Sequence, residues 1–179
     1  MPMKKILILV SLTLVLAGCA RREAAPATES TAETPAAAPG TILDQPKVIA
    51  PIQVKIELSP DAKAQLDAHS ELLVVEAYFA GDPTAEAQTQ VNELGLVELG
   101  RTSQELPGAA TVGFDESAID RSRLGLIIGQ PQVVLNVHST ARSGAGNLIN
   151  CPMFWESIKV ASEKPVEILC TAASEAAVQ

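Results

Sequence analysis

Residues able to do chemistry are sparse in this 179-residue chain, which has two histidines and three cysteines. His138 and Ser139 adjoin near the end of an apolar alternation, followed at once by Arg142 and the loop Ser143-Gly144-Ala145-Gly146-Asn147. A histidine base beside a serine nucleophile would make a hydrolase. Adjacent residues on a strand point to opposite faces, however, so His138 cannot serve Ser139. A distant serine and acid would have to complete the set, and the G-x-S-x-G turn of many hydrolases is absent. His138 therefore reads as a surface histidine at a strand end, and no catalytic residue is assigned. His69, just past a short helical stretch, reads as structural or solvated, since a polar side chain there can meet free carbonyls.

Metal and phosphate sites are also missing from the pattern. Asp115, Glu116 and Asp120 are close in sequence but lack the alternating oxygen ligands and central glycine of a calcium loop. Gly144-Ala145-Gly146 lacks the strand-to-helix context of a phosphate cradle. The expectation is a protein that is not an enzyme and holds neither metal nor cofactor. With 13 basic and 21 acidic side chains the chain carries a net charge of −8, which argues against nucleic acid and against anionic lipid headgroups.

Cys151 and Cys170 form an even pair without C-x-x-C spacing, which favours a disulfide over a redox or zinc site in an exported domain. The bridge is expected to tie the last hairpin together. Aromatic residues number five, and three large apolar side chains cluster at Met153-Phe154-Trp155. One reading of that cluster is core packing around the disulfide. The other is a partner-binding patch, because Trp, Phe and Met are enriched at interfaces.

The elements that would position these residues are mostly strands. Ile52, Val54, Ile56 and Leu58 alternate with polar residues, giving one wet face. Leu72 to Ala80 is nearly all apolar and is expected to be buried on both faces. Further strands are expected at Leu94–Thr102, Ala110–Phe114, Gln132–Ser139, Trp155–Val160 and Val166–Thr171. Turn signals separate them at Gly81-Asp82-Pro83, Pro107-Gly108, Gly129-Gln130-Pro131 and the 143–147 loop. Ser59-Pro60-Asp61 starts a short helix running to about Ala68, and Asp115–Leu124 is expected to hold a further turn or two. About seven short strands with one or two short helices predict an all-β sandwich, with a partly open β-barrel as the alternative.

The N-terminus supplies the one specific signature. Lys4 and Lys5 precede an apolar run, Ile6 to Leu16, that ends in Leu16-Ala17-Gly18-Cys19. This is the form of a secretory signal peptide, too short for the roughly 20 residues of a spanning helix. The ending resembles the lipobox of bacterial lipoproteins, which implies cleavage before Cys19 and lipidation of that cysteine. Several acyl chains hold a protein on a membrane stably where one binds marginally. In related lipoproteins an aspartate after the cysteine favours the inner membrane; Ala20 here implies the outer membrane, facing the periplasm, in a Gram-negative source.

The expected organisation is thus a signal peptide at 1–18, a lipidated cysteine and tether at 19–45, a β-sandwich domain at 46–172 and a flexible tail at 173–179. The tether contains Pro26, Pro35 and Pro39 and almost no large apolar side chain before Ile42, so it cannot offset its ordering entropy. As a random coil it spans roughly 28 Å. By Ser59-Pro60, the buried strand that follows and the Cys151/Cys170 pair, the remainder resembles small envelope lipoproteins with a β-sandwich domain. Pilotin-type lipoproteins of type III secretion share that likeness at the level of fold, which does not carry function. The inhibitory loop motif of lipoprotein lysozyme inhibitors is not found. These features together lead to the expectation of a non-enzymatic protein-binding or stabilising module on the membrane, with an envelope protein as partner. A structural surface lipoprotein, or a hydrolase using His138, are the alternatives.

Overall fold

A computed structural model describes residues 46–176; the expected signal peptide, Cys19, the tether and 177–179 lie outside the described residues. Eight strands form two four-stranded sheets. The first sheet has the order β4 (Ala110–Phe114), β1 (Ile52–Leu58), β8 (Val166–Ala172), β6 (Ile149–Asn150). The second has the order β3 (Val97–Leu106), β2 (Leu73–Pro83), β5 (Ile127–Ser139), β7 (Phe154–Ser157). β1 and β8 run parallel, and the other pairs are antiparallel. The two sheets stay separate, so the chain is a small all-β sandwich and not the partly open barrel.

The core follows from period-two alternation. Ile52, Val54 and Ile56 of β1 and Ile168 and Cys170 of β8 face Leu73, Val75 and Phe79 of β2 and Val133, Leu135 and Val137 of β5, all buried in one apolar cluster. Fully burying one such aliphatic or aromatic side chain contributes about 1.5–3 kcal/mol. Helix α1 (Pro60–His69) begins as expected, with the Ser59 hydroxyl accepting from the Ala62 amide at 3.1 Å, and closes the sandwich with Ala62 and Leu66. His69 is its last residue.

Several expectations need correction. β2 is not buried on both faces: Leu73, Val75, Ala77 and Phe79 are buried, whereas Val74, Glu76 and Tyr78 on the other face are half-buried. Gly81-Asp82-Pro83 and Gly129-Gln130-Pro131 are not turns but parts of β2 and β5, which pair across a register shift between Ala80 and Asp82. Gly129, at φ +67, supplies the conformation such an irregularity needs. β3 starts at Val97 and not at Leu94, because the Asn92 side chain accepts from the amides of Leu94 and Leu96 and turns the chain before the strand. β7 stops at Ser157, whose hydroxyl accepts from the Val160 amide and caps the short helix α2 (Ile158–Ala161). Ala85–Gln90, Glu116–Ala118 and Arg121–Leu126 form 3-10 turns. The tail opens with one helical turn, α3 (Ala173–Ala176), whose first amide donates to the Leu148 carbonyl at 2.9 Å.

The Cys151–Cys170 disulfide is present, but it does not tie a hairpin. Cys170 lies in β8 of the first sheet, and Cys151 follows β6, the neighbour of β8. Between the two cysteines the chain leaves the first sheet, lends β7 to the second and returns through α2. The bridge closes that excursion.

Two further contacts set the loops around the second sheet. Gly100 has φ +157, and a Cβ there would lie 1.8 Å from the Ala118 carbonyl oxygen, so only glycine lets the 116–120 segment cross β3. Buried Glu71 accepts from the Thr140 hydroxyl and, at 2.5 Å, from the Ser143 amide, pinning the loop after β5. Hydrogen bonds from Ser143 and Thr140 hold its carboxyl down to about 2.

Candidate binding site

The outer face of the second sheet carries a row of side chains fixed by strand register. Arg101 of β3 opposes Tyr78 of β2, Tyr78 opposes Val134 of β5, and Val134 opposes Trp155 of β7. Neighbouring strands lie about 4.8 Å apart, so Tyr78 and Trp155 stand roughly 10 Å apart with only the smaller Val134 between them. The result is an open groove of about 330 Å³, floored by Tyr78, Val134 and Glu76, with Met153 and Trp155 on one side and Asn92, Leu94 and Arg101 on the other.

Each wall is held by specific bonds. The Trp155 indole N–H donates to Gln132 Oε1 at 2.6 Å, and Gln132 in turn donates to Asp82 Oδ2 at 3.1 Å. Opposite, Asn92 Nδ2 donates to the Tyr78 hydroxyl oxygen at 2.5 Å, while Asn92 Oδ1 shapes the turn that presents Leu94. The Arg101 guanidinium lies 5.2 Å from the Tyr78 ring centroid, a cation–π distance. Burial, followed by the Glu98 charge, pushes the Tyr78 phenol up against the opposing pull of Arg101 and Asn92. Leu94, Met153 and Trp155 remain 63%, 61% and 43% exposed.

The Met153-Phe154-Trp155 cluster therefore divides. Phe154 opposes Leu135 and packs against the core, whereas Met153 and Trp155 face solvent in the groove. Strand alternation separates Phe154 from Trp155, so core packing accounts for Phe154 and not for the exposed Met153 and Trp155. Cys151 sits two residues before Met153, so the disulfide anchors the start of this wall.

His138 lies on the same outer face, with Nε2 3.7 Å from Glu76 Oε2 and Nδ1 2.9 Å from the Ser139 carbonyl. Ser139 points the other way: it is buried, and its hydroxyl accepts from the Leu148 amide at 3.0 Å. The two adjacent residues are thus on opposite faces, as the strand pattern requires. Asp115 and Asp120 are local caps. Each carboxyl is lowered chiefly by the serine hydroxyl two residues on, Ser117 and Ser122 respectively. Among the described residues no cluster of His, Cys, Asp and Glu is arranged to hold a metal.

Glu76, Tyr78, Asn92, Leu94, Arg101 and Val134 are groove residues that sequence reasoning missed. The signal existed for two of them, since Glu76 and Tyr78 interrupt the apolar run of β2 at alternate positions, the spacing of an outer face.

Comparison with known families bears on the other end of the chain. Residues 3–20 match the prokaryotic membrane lipoprotein lipid attachment site, a match that spans Leu16-Ala17-Gly18-Cys19. The chain is a membrane-anchored lipoprotein. Its lipobox places it, lipid-anchored, in the cell envelope. No curated protein and no solved structure matches the lipoprotein. Among the described residues no helix is long and apolar enough to cross a membrane.

Proposed function

We propose that this lipoprotein is a non-enzymatic binding module that holds or stabilises another envelope protein through the outer face of its second sheet. One observation carries the reading: Met153 and Trp155 are exposed at a sheet edge, yet the indole is oriented by its bond to Gln132 and the segment is anchored by the disulfide. Large apolar groups kept in place and open to solvent suit a protein interface, where Trp and Met are enriched. β7 lies at the edge of its sheet, so a partner strand can add beside it. Ala20 after Cys19 supports an outer-membrane location facing the periplasm in a Gram-negative cell.

The test is affinity capture with the full lipidated chain from detergent-solubilised envelope, followed by mass spectrometry. A stoichiometric partner is expected with the native chain and is expected to be lost with Trp155→Ala. That substitution touches a half-exposed cross-strand position and costs at most about 1 kcal/mol of stability. Retention of the partner by a folded Trp155→Ala chain, or no partner above background, overturns the proposal.

A further inference from the structure

We infer that the groove receives a lysine side chain presented by the partner, an inference that rests on the binding reading above. The groove is apolar over most of its lining, but Glu76 places a carboxylate on its floor. Among the described residues His138 Nε2 lies 3.7 Å from it, a pair only when the imidazole is protonated, and no lysine or arginine forms an ion pair with it. The protein as a whole is acidic, with a net charge of −8, so its field favours a cationic visitor.

The aromatic walls point the same way. Tyr78 already carries a cation, the chain's own Arg101, which is also paired with Glu98 at 3.4 Å. Arg101 fills the Tyr78 end, and the open end is the one between Val134, Met153 and Trp155. The Glu76 carboxylate attracts an alkylammonium by its charge, and the open apolar end beside Trp155 leaves room for the stem that carries it. Methylenes laid over Val134 and Met153 would replace water on apolar surface.

Lysine fits better than arginine for a geometric reason. The His138 ring stands 3.7 Å from Oε2 of Glu76 and limits access to that oxygen, so the other carboxylate oxygen is the more open to an occupant. A guanidinium fork uses two oxygens, whereas an ammonium is a point charge on a flexible four-carbon stem. One row along the strands separates Glu76 from the Tyr78–Val134–Trp155 row, about 7 Å, which such a stem spans while its methylenes stay in the slot.

Trp155 is the chain's single tryptophan, so its fluorescence reports on the groove alone. The full lipidated chain in neutral detergent is titrated with a blocked peptide acetyl-Gly-Lys-Gly-amide, and separately with norleucine and glutamate in place of the lysine. The lysine peptide is expected to shift the emission saturably, and the other two to bind more weakly. Glu76→Gln is expected to weaken lysine binding roughly three-fold or more, the scale of a half-exposed charge pair. Raising the salt from about 0.05 M to about 0.5 M is expected to weaken it in the native chain, a check independent of whether the variant folds. Norleucine binding as tightly as lysine, indifference to both salt and Glu76→Gln, or no emission shift with any peptide overturns the inference. Should envelope capture still depend on Trp155 in any of those cases, the binding reading stands and the lysine assignment alone falls.

Discussion

The two sheets of the sandwich bury equivalent inner faces and present very different outer ones. On the first sheet the outward positions of β1 and β8 are Gln53, Lys55, Glu57, Glu167, Leu169 and Thr171, a polar face on which Leu169 is the one large apolar side chain. Lys55 reaches Glu57 at 2.7 Å and Glu167 at 3.8 Å, all in solvent. On the second sheet the same structural positions hold Glu76, Tyr78, Val134 and Trp155, with Tyr78 tied to Asn92 and Arg101 and Trp155 to Gln132 by directed contacts. A sheet that only needs solubility can leave its outer side chains loose. Ordered aromatic and apolar side chains left open to solvent cost entropy and solubility, which suggests that the second face is kept for contact.

The largest effect should come from the bridge that holds the edge of that second face. Replacing both cysteines by alanine is expected to cost about 3 kcal/mol, the entropy of closing a loop of roughly 20 residues. Alanine is the suitable replacement because Cys170 is fully buried and a serine there would add an unpaired hydroxyl. Urea denaturation reads the loss. Hydrogen exchange sharpens the comparison: the amides of Phe154–Ser157, paired only with β5 in their sheet, are expected to lose more protection than those of β1. Equal loosening of the two faces would mean that the disulfide is a general staple and not an anchor for the groove.

Much of this contrast was open to sequence reading, and its limits are physical. The polar face of β1 is explicit in Ile52 to Leu58, since a strand with charged residues at every second position has its outer face written out. The groove is not, because its residues come from four strands and two loop segments and meet only through the pairing of those strands. Val134 is unremarkable until Tyr78 and Trp155 are known to flank it. Val74 and the ring of Tyr78 on the outer face of β2 blur the alternation that Glu76 marks, so the strand reads as doubly buried when one face is half-open. Gly129 and Pro131 mislead in a different way: the same residue types make turns and strand irregularities, and only pairing tells them apart. Capping chemistry at Ser59 is local in sequence, and the structure agrees with it.

A smaller effect is expected at Glu71, which anchors the loop leading out of β5 and so supports the groove sheet. Its carboxyl is held at about 2 against an ordinary 4.5, so the folded state favours the ionised form. The stability this confers is complete above about 4.5 and is lost as the pH falls toward 2. Thermal unfolding between pH 2 and pH 5 should therefore show a falling midpoint on acidification, and Glu71→Gln should flatten that slope while lowering the midpoint at neutral pH. An unchanged slope in Glu71→Gln would assign the acid sensitivity elsewhere. Exchange data at low pH would then be expected to show the 140–147 loop opening no earlier than the first sheet.

The smallest effect is expected on the polar face, and its smallness is the point. Glu57 and then Glu167 raise the Lys55 ammonium above its ordinary 10.5, so any stabilisation is present through neutral pH and disappears only in strong alkali. All three side chains are exposed, and solvent screens such pairs to little or nothing. Lys55→Ala is expected to leave the urea midpoint at pH 7 within experimental error and to leave envelope capture intact, at both low and high salt. Trp155→Ala, at a comparable exposure on the other face, is expected to spare stability nearly as well and to lose the partner. If Lys55→Ala also released the partner, the polar face would be a second contact surface, and the asymmetry between the sheets would be one of chemistry and not of use.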